Sequence, residues 1–277
     1  MSLRWATFAV AFLFLAFLVM FEIMPGVLLV ITAFSNKTGF SLEHVQEAVK
    51  PLFLKALLNS INLSWFTALE GGILGTLTAG AIWSSKNPAV KRFTTAISGV
   101  AANFAGVPLA FAFVVILGSS GIVNLILEKF GIEAIDVYRR QNLHWVYLYF
   151  QWPLMTVLML PAFNAIQREW LEAARGLGSS SLGFWVKVGM PVLLPTLLGS
   201  MILLFANSFG AYATVYALVQ GNVTLLPTQI GFQVSGSVGY DPGGAAVLSL
   251  LMAFTLLLSL AIYRFSRRWA AQLEGAK

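Results

Sequence analysis

Six long runs of mainly apolar residues dominate this chain, each long enough to cross a lipid bilayer as a helix. A hydrocarbon core of roughly 30 Å takes about 20 residues, each rising about 1.5 Å. The runs lie at about 5–33, 57–83, 94–117, 143–166, 192–219 and 244–263. Lipid offers no partner to an unpaired peptide group, so spans of this length must satisfy their hydrogen bonds internally, as helices. The expected fold class is therefore an all-α integral membrane protein, with 1–277 as a single transmembrane domain.

Composition agrees and removes several function classes. Of 277 residues, 58% are hydrophobic and 10% charged, whereas soluble domains hold about 45–50% and about 25%. Cysteine is absent, which excludes disulfides and thiolate metal sites. With two histidines, no metal centre and no histidine-based catalysis are expected. The net charge of +6 comes without a dense Lys/Arg run, so no nucleic-acid partner is expected. The charge reads as topology instead. With the N-terminus inside, the cytoplasmic segments hold Arg4, Lys86, Lys91, Arg92, Arg168, Arg175, Lys187, Arg264, Arg267, Arg268 and Lys277. The opposite side holds Lys37, Lys50, Lys55, Lys129, Arg139 and Arg140. That asymmetry places both termini in the cytoplasm. The first run is too long for a signal peptide and no A-x-A cleavage site follows it, so it reads as an uncleaved helix.

The connection at 167–191 differs from the others. In its first part Ile166, Trp170, Ala173, Ala174 and Leu177 share one helical face, with Arg168, Glu172 and Arg175 opposite at ion-pairing spacings. Gly178 suits a left-handed helix end, Ser179 to Ser181 offer caps, and Pro191 suits the first turn of the next span. The object expected is a short helix, a sharp turn and a second helix.

Here the chain resembles a family. Glu172-Ala173-Ala174, then Gly178, then Val188-Gly189-Met190-Pro191 is similar to the Glu-Ala-Ala…Gly…Ile-x-Leu-Pro pattern of permease subunits of binding-protein-dependent ATP-binding-cassette importers. Val188 and Met190 replace Ile and Leu but stay apolar, and Gly176 stands where a small hydroxyl residue is frequent. The likeness implies a type I importer permease fold, with 167–191 as the coupling segment that docks on a separate ATPase. Its contact residues would be Glu172, Ala173, Ala174, Arg175, Gly178, Val188, Met190 and Pro191. The alternative is a surface helix that merely links two spans. A wider likeness, through Asn207 to Thr214, Leu226-Pro227 and Asp241-Pro242, is to polyamine-type permeases, with ferric-iron, phosphonate and thiamine systems sharing similar pieces.

The resemblance further implies a bacterial inner-membrane location and a second, related permease, giving a heterodimer. It also implies a cytoplasmic ATPase dimer that holds the ATP and Mg, and an external (periplasmic) solute-binding protein. The chain itself has no G-x-x-x-x-G-K-[ST] loop, no nucleophile–base pair and no cofactor motif, so it is not expected to be an enzyme. Polar residues inside the runs are candidates for the translocation pathway: Glu70 first, then Asn207 and Ser208, and Glu22 near the outer interface. For Glu70 a cation-favouring role competes with that of a neutralised or hydrogen-bonded structural carboxyl. Asn59, Asn62 and Asn103 line the path or join helices. Gly71, Gly72, Gly75 and Gly80 indicate close helix packing, and Trp5, Trp65, Trp83 and Trp145 interface anchoring. An ion-driven transporter with Glu70 as its ion site would show an internal repeat, which the sequence lacks. A membrane-embedded enzyme would need a catalytic cluster.

Overall fold

The computed structural model describes residues 2–36, 39–219, 223–237 and 239–275, without the side chains of 2–7, 47, 140, 168 and 266–275. Lys37, Gln220 and Lys277 therefore lie outside the description, as do the side chains of Arg4, Trp5, Arg140, Arg168, Arg267 and Arg268.

The chain is helical almost throughout. Helix α1 (Ser2–Leu18) runs through a π turn at Val19–Ile23 into α2 (Met24–Ala33). A two-residue hairpin, β1 (Ser35–Asn36) with β2 (Gly39–Phe40), and α3 (Glu43–Ala48) lead to α4 (Pro51–Ser84). Next come α5 (Pro88–Asn103), α6 (Gly106–Leu117), α7 (Ile122–Lys129) and α8 (Leu143–Asn164). The rest comprises α9 (Arg168–Gly176), α10 (Ser181–Phe184), a π turn at Trp185–Gly189, α11 (Met190–Phe209), α12 (Ala213–Val219), α13 (Leu226–Ser235) and α14 (Pro242–Gly275). Among the described residues, six segments are long and apolar enough to cross a membrane.

Two run boundaries differ from the sequence reading. The run at 94–117 is two helices, broken at Phe104–Ala105, where Gly106 takes φ 74°, and the segment of crossing length there is Gly106–Lys129. That left-handed conformation suits glycine, which has no Cβ to clash. The run at 192–219 starts early, because the helix is continuous from Ser181 to Phe209, and it breaks at Gly210 before α12. Pro191 stands in the first turn of α11, but no break precedes it. The preceding π turn, closed by the Met190 N–H on the Trp185 carbonyl, carries the helix through to the proline. Met24 closes the same turn on Val19 one residue before Pro25.

The centre is a bundle of α4, α8 and α11, with α5 on α8 and α14 against α2 and α13. Small residues set its spacing. A Cβ on Gly71 would lie 2.7 Å from Gln151 Cβ, and one on Gly75 2.4 Å from Met155 Cβ. One on Gly72 would meet the Met201 sulfur. The α4 and α8 backbones therefore approach closely in the same direction, as small-residue seams do in membrane bundles. One apolar cluster holds Met155, Met159, Phe163, Leu193, Leu204 and Phe209, and a second holds Leu109, Leu143, Tyr147, Phe150 and Val215. By contrast the described side chains of α1 are almost all exposed, from Phe8 at 69% to Phe17 at 56%. Trp83, expected at an interface, stands at the end of α4 and is partly buried against Phe163 and Trp185. Trp65 and Trp145 are exposed.

Candidate functional site

The segment 167–191 folds as the short helix and turn that its residues dictate. Glu169 in the first turn and Arg175 in the last of α9 match the helix dipole. At its end Gly178 takes φ 80°, and its N–H bonds the Arg175 carbonyl while the Ser179 N–H bonds that of Ala174, 2.9 Å each. Ser180 caps the next helix, its Oγ accepting from the Gly183 N–H at 3.1 Å. Among the described residues no ion pair involves Glu172 or Arg175.

The face of α9 that packs is not the one that the apolar pattern centres on. Leu171 and Ala174 rest on the core, beside buried Ile166 and Phe184. The strip through Ala173 and Leu177 points away, with Leu177 89% exposed. Leu182 and Val186 are also exposed. Glu172, Arg175 and Gly178 are exposed as well, while Val188 packs on the core and Met190 and Pro191 are exposed. The segment is nevertheless held firmly. The Trp185 ring meets those of Phe184, Trp83 and Phe163 edge-on or tilted at 5.7, 5.9 and 6.2 Å, linking it to the ends of α4 and α8. A Cβ on Gly189 would collide with the Trp185 ring, so the glycine is what lets the indole cross the π turn.

The polar residues at membrane depth separate into groups. Ser208 is buried and its Oγ lies 3.0 Å from that of Thr67, joining α11 to α4. Asn207 Nδ2 donates to Gln151 Oε1 at 3.5 Å, and Gln151 Nε2 donates to the Leu204 carbonyl at 2.7 Å. Gln151 and Thr67 were not picked out by the sequence reading. An amide in the middle of a mainly apolar run was the available signal for Gln151. Asn59 ties α4 to the Thr224 carbonyl at 2.9 Å, and Asn103 bonds its own helix at Gly99. Glu22 is exposed on the π turn, on an element apart from Glu70, Asn207 and Ser208. Glu70 lines a cavity of about 430 Å³ with Asn62, Leu63, Phe66, Gln141 and His144. The two helix breaks also meet: the Gly106 N–H donates to Thr214 Oγ1 at 2.8 Å. Irregular backbone at bilayer depth persists only where protein buries it or a wet cavity lines it.

Residues 71–271 match the family described as binding-protein-dependent transport system inner membrane component. A probable sulfate transport system permease protein cysT of Nephroselmis olivacea is 26% identical over 235 residues, covering 82% of this chain and 80% of that one. The spermidine/putrescine transport system permease protein PotB of Escherichia coli is 22% identical over 268 residues, covering 93% and 96%. Among solved structures, a bacterial ABC transporter that imports alginate superposes with a TM-score of 0.78 at 17% identity, covering 98% of this chain and 96% of that one.

Proposed function

The chain belongs to the family of binding-protein-dependent transport system inner membrane components, and from that premise we propose that it is one of two permease subunits of an ATP-driven importer. As a multi-pass permease it is not itself an enzyme. Nucleotide chemistry, with ATP and Mg, belongs to a cytoplasmic ATPase dimer. A second, related permease completes the pore, and an external solute-binding protein delivers the substrate. The setting is a bacterial inner membrane, with both termini in the cytoplasm as the Lys/Arg asymmetry favours.

The observation that carries this reading is the uncovered apolar strip of α9, on a segment clamped to the bundle by Trp185. Exposed apolar area on an anchored helix suits docking of a partner. The coupling contacts are Glu172, Ala173, Ala174, Arg175 and Gly178, with Val188, Met190 and Pro191 fixing the segment to its span. ATP-driven closure of the ATPase dimer would draw two such segments together. Trp83 and Phe163 would pass that shift to α4 and α8, and the tied breaks at Phe104–Ala105 and Gly210 would let α6 and α12 tilt as outer half-helices. This is alternating access by rigid-body motion.

The substrate is a polyamine or similar small solute, a reading supported by the sequence likeness at 207–214 and by the PotB-type relatives. Ferric iron, phosphonate or thiamine is the alternative within the same architecture. Glu70 and Asn207 are the stronger pathway candidates. Ser208, bonded to Thr67, and Glu22, on the outer flank, are weaker ones. Co-purification tests the assignment: an ATPase subunit accompanies the wild-type chain from solubilised membranes, and Glu172→Arg abolishes ATP-dependent uptake while leaving the permease folded. Recovery of the chain with no nucleotide-hydrolysing partner would overturn it.

A further inference from the structure

The cavity beside the N-terminal halves of α4 and α8 has the chemistry of a ligand site. Its volume, about 430 Å³, falls in the roughly 300–1,000 Å³ range of small-molecule pockets. Asn62, Phe66 and Glu70 stand at four-residue steps on one face of α4, and Gln141 and His144 come from the start of α8. Glu70 Oε2 is buried without a hydrogen-bond partner among the described residues. A carboxylate oxygen so placed at bilayer depth carries a desolvation cost that a donor or a cation offsets.

The other lining groups complement a cation. His144 Nδ1 lies within hydrogen-bond distance of the Gln141 carbonyl oxygen. That oxygen can only accept, so Nδ1 carries the hydrogen, which leaves Nε2 as the nitrogen that can accept. The carboxamides of Asn62 and Gln141 add carbonyl acceptors. Phe66, 53% exposed, adds a ring face of the kind that attracts ammonium groups. Among the described residues, neither lysine nor arginine lines the cavity. Among these groups an anion would meet the Glu70 carboxylate and no fixed positive charge.

We propose that this cavity binds an alkylammonium group of the transported solute, with Glu70 as its counter-ion and Asn62, Gln141 and His144 as acceptors. The inference rests on the importer reading in taking the ligand to be the transported solute. Binding itself needs no ATPase.

The test is calorimetric titration of the full-length chain in lipid nanodiscs with spermidine, and in parallel with sodium sulfate. Saturable spermidine binding is expected, at least tenfold weaker in Glu70→Gln and in Asn62→Phe, with no heat from sulfate. Asn62 is exposed at the rim, so Asn62→Phe blocks the cavity without disturbing a buried group and decides the matter if Glu70→Gln does not fold. No spermidine binding to the wild type at millimolar concentration overturns the proposal. So does unchanged affinity in a folded variant, or sulfate binding that depends on Glu70. ATPase co-purification from the same membranes reports separately on the importer assignment, so the two failures are distinguishable.

Discussion

Truncating Leu177 to alanine separates the two roles of the 167–191 segment. The side chain is 89% exposed, so its loss removes almost no contact within the chain. The stability of the permease alone is expected to change by under about 0.5 kcal/mol, as at ordinary surface sites. If the α9 strip docks as proposed, the same side chain is buried against the ATPase in the assembled importer. Leu177→Ala removes three carbons at about 0.8 kcal/mol each, or about 2.4 kcal/mol, which is roughly fifty-fold in Kd. The assay is titration of nanodisc-embedded permease with its purified ATPase partner, paired with a thermal melt. Leu171→Ala provides the contrast, since Leu171 packs on the core and its loss lowers the melting midpoint. A Leu177→Ala Kd within twofold of wild type, in a folded chain, would refute docking through this strip.

Three further outcomes follow from the packing. Gly75→Ala and Gly99→Ala both gain the helix propensity of alanine. Only at position 75 does the new methyl meet Met155 Cβ, at 2.4 Å, while nothing lies within 4 Å at position 99. Gly75→Ala should therefore be less stable than Gly99→Ala by about 1–3 kcal/mol in detergent melts, and equal midpoints would contradict the close α4–α8 seam. Gly178→Ala meets no neighbour but must hold φ 80°, costing about 1–2 kcal/mol. The loss should be visible as faster proteolysis at the turn, and wild-type protection would count against it. Gln151→Leu removes a side-chain hydrogen bond to the Leu204 carbonyl, which keeps its helical donor, and should cost about 0.5–1.5 kcal/mol by thermal melt. An unchanged midpoint would make that bond energetically idle.

The apolar runs were legible because the bilayer imposes a length and a hydrophobicity that few other environments demand. The turn at Gly178 and the cap at Ser180 were legible because left-handed backbone and open helix starts select specific residues. The break at Phe104–Ala105 was not, since both residues are apolar and Gly106 resembles the other glycines of the chain until its φ is known. The place of Pro191 in the first turn of α11 was legible, but the π turn before it, which joins α10 and α11 into one continuous helix, was not. Leu177 was grouped correctly with Ala173 on one face, but periodicity cannot say which part of a face finds a neighbour. The contact of Trp83 with Trp185 was not legible, because the two lie about a hundred residues apart in the chain. Glu70 stood out in the sequence, yet its companions Gln141 and His144 join it only through the parallel packing of α4 and α8.

The account turns on whether a nucleotide-hydrolysing protein grips α9 from the cytoplasmic side. The chain lacks cysteine, so a single cysteine at Ala173 gives an unambiguous handle for cross-linking in native membranes. A bifunctional thiol–amine reagent is expected to join Ala173→Cys to the ATPase subunit, while a membrane-impermeant thiol reagent added outside sealed cells leaves the position unlabelled. Labelling from outside, or cross-links to no ATPase, would contradict the claim.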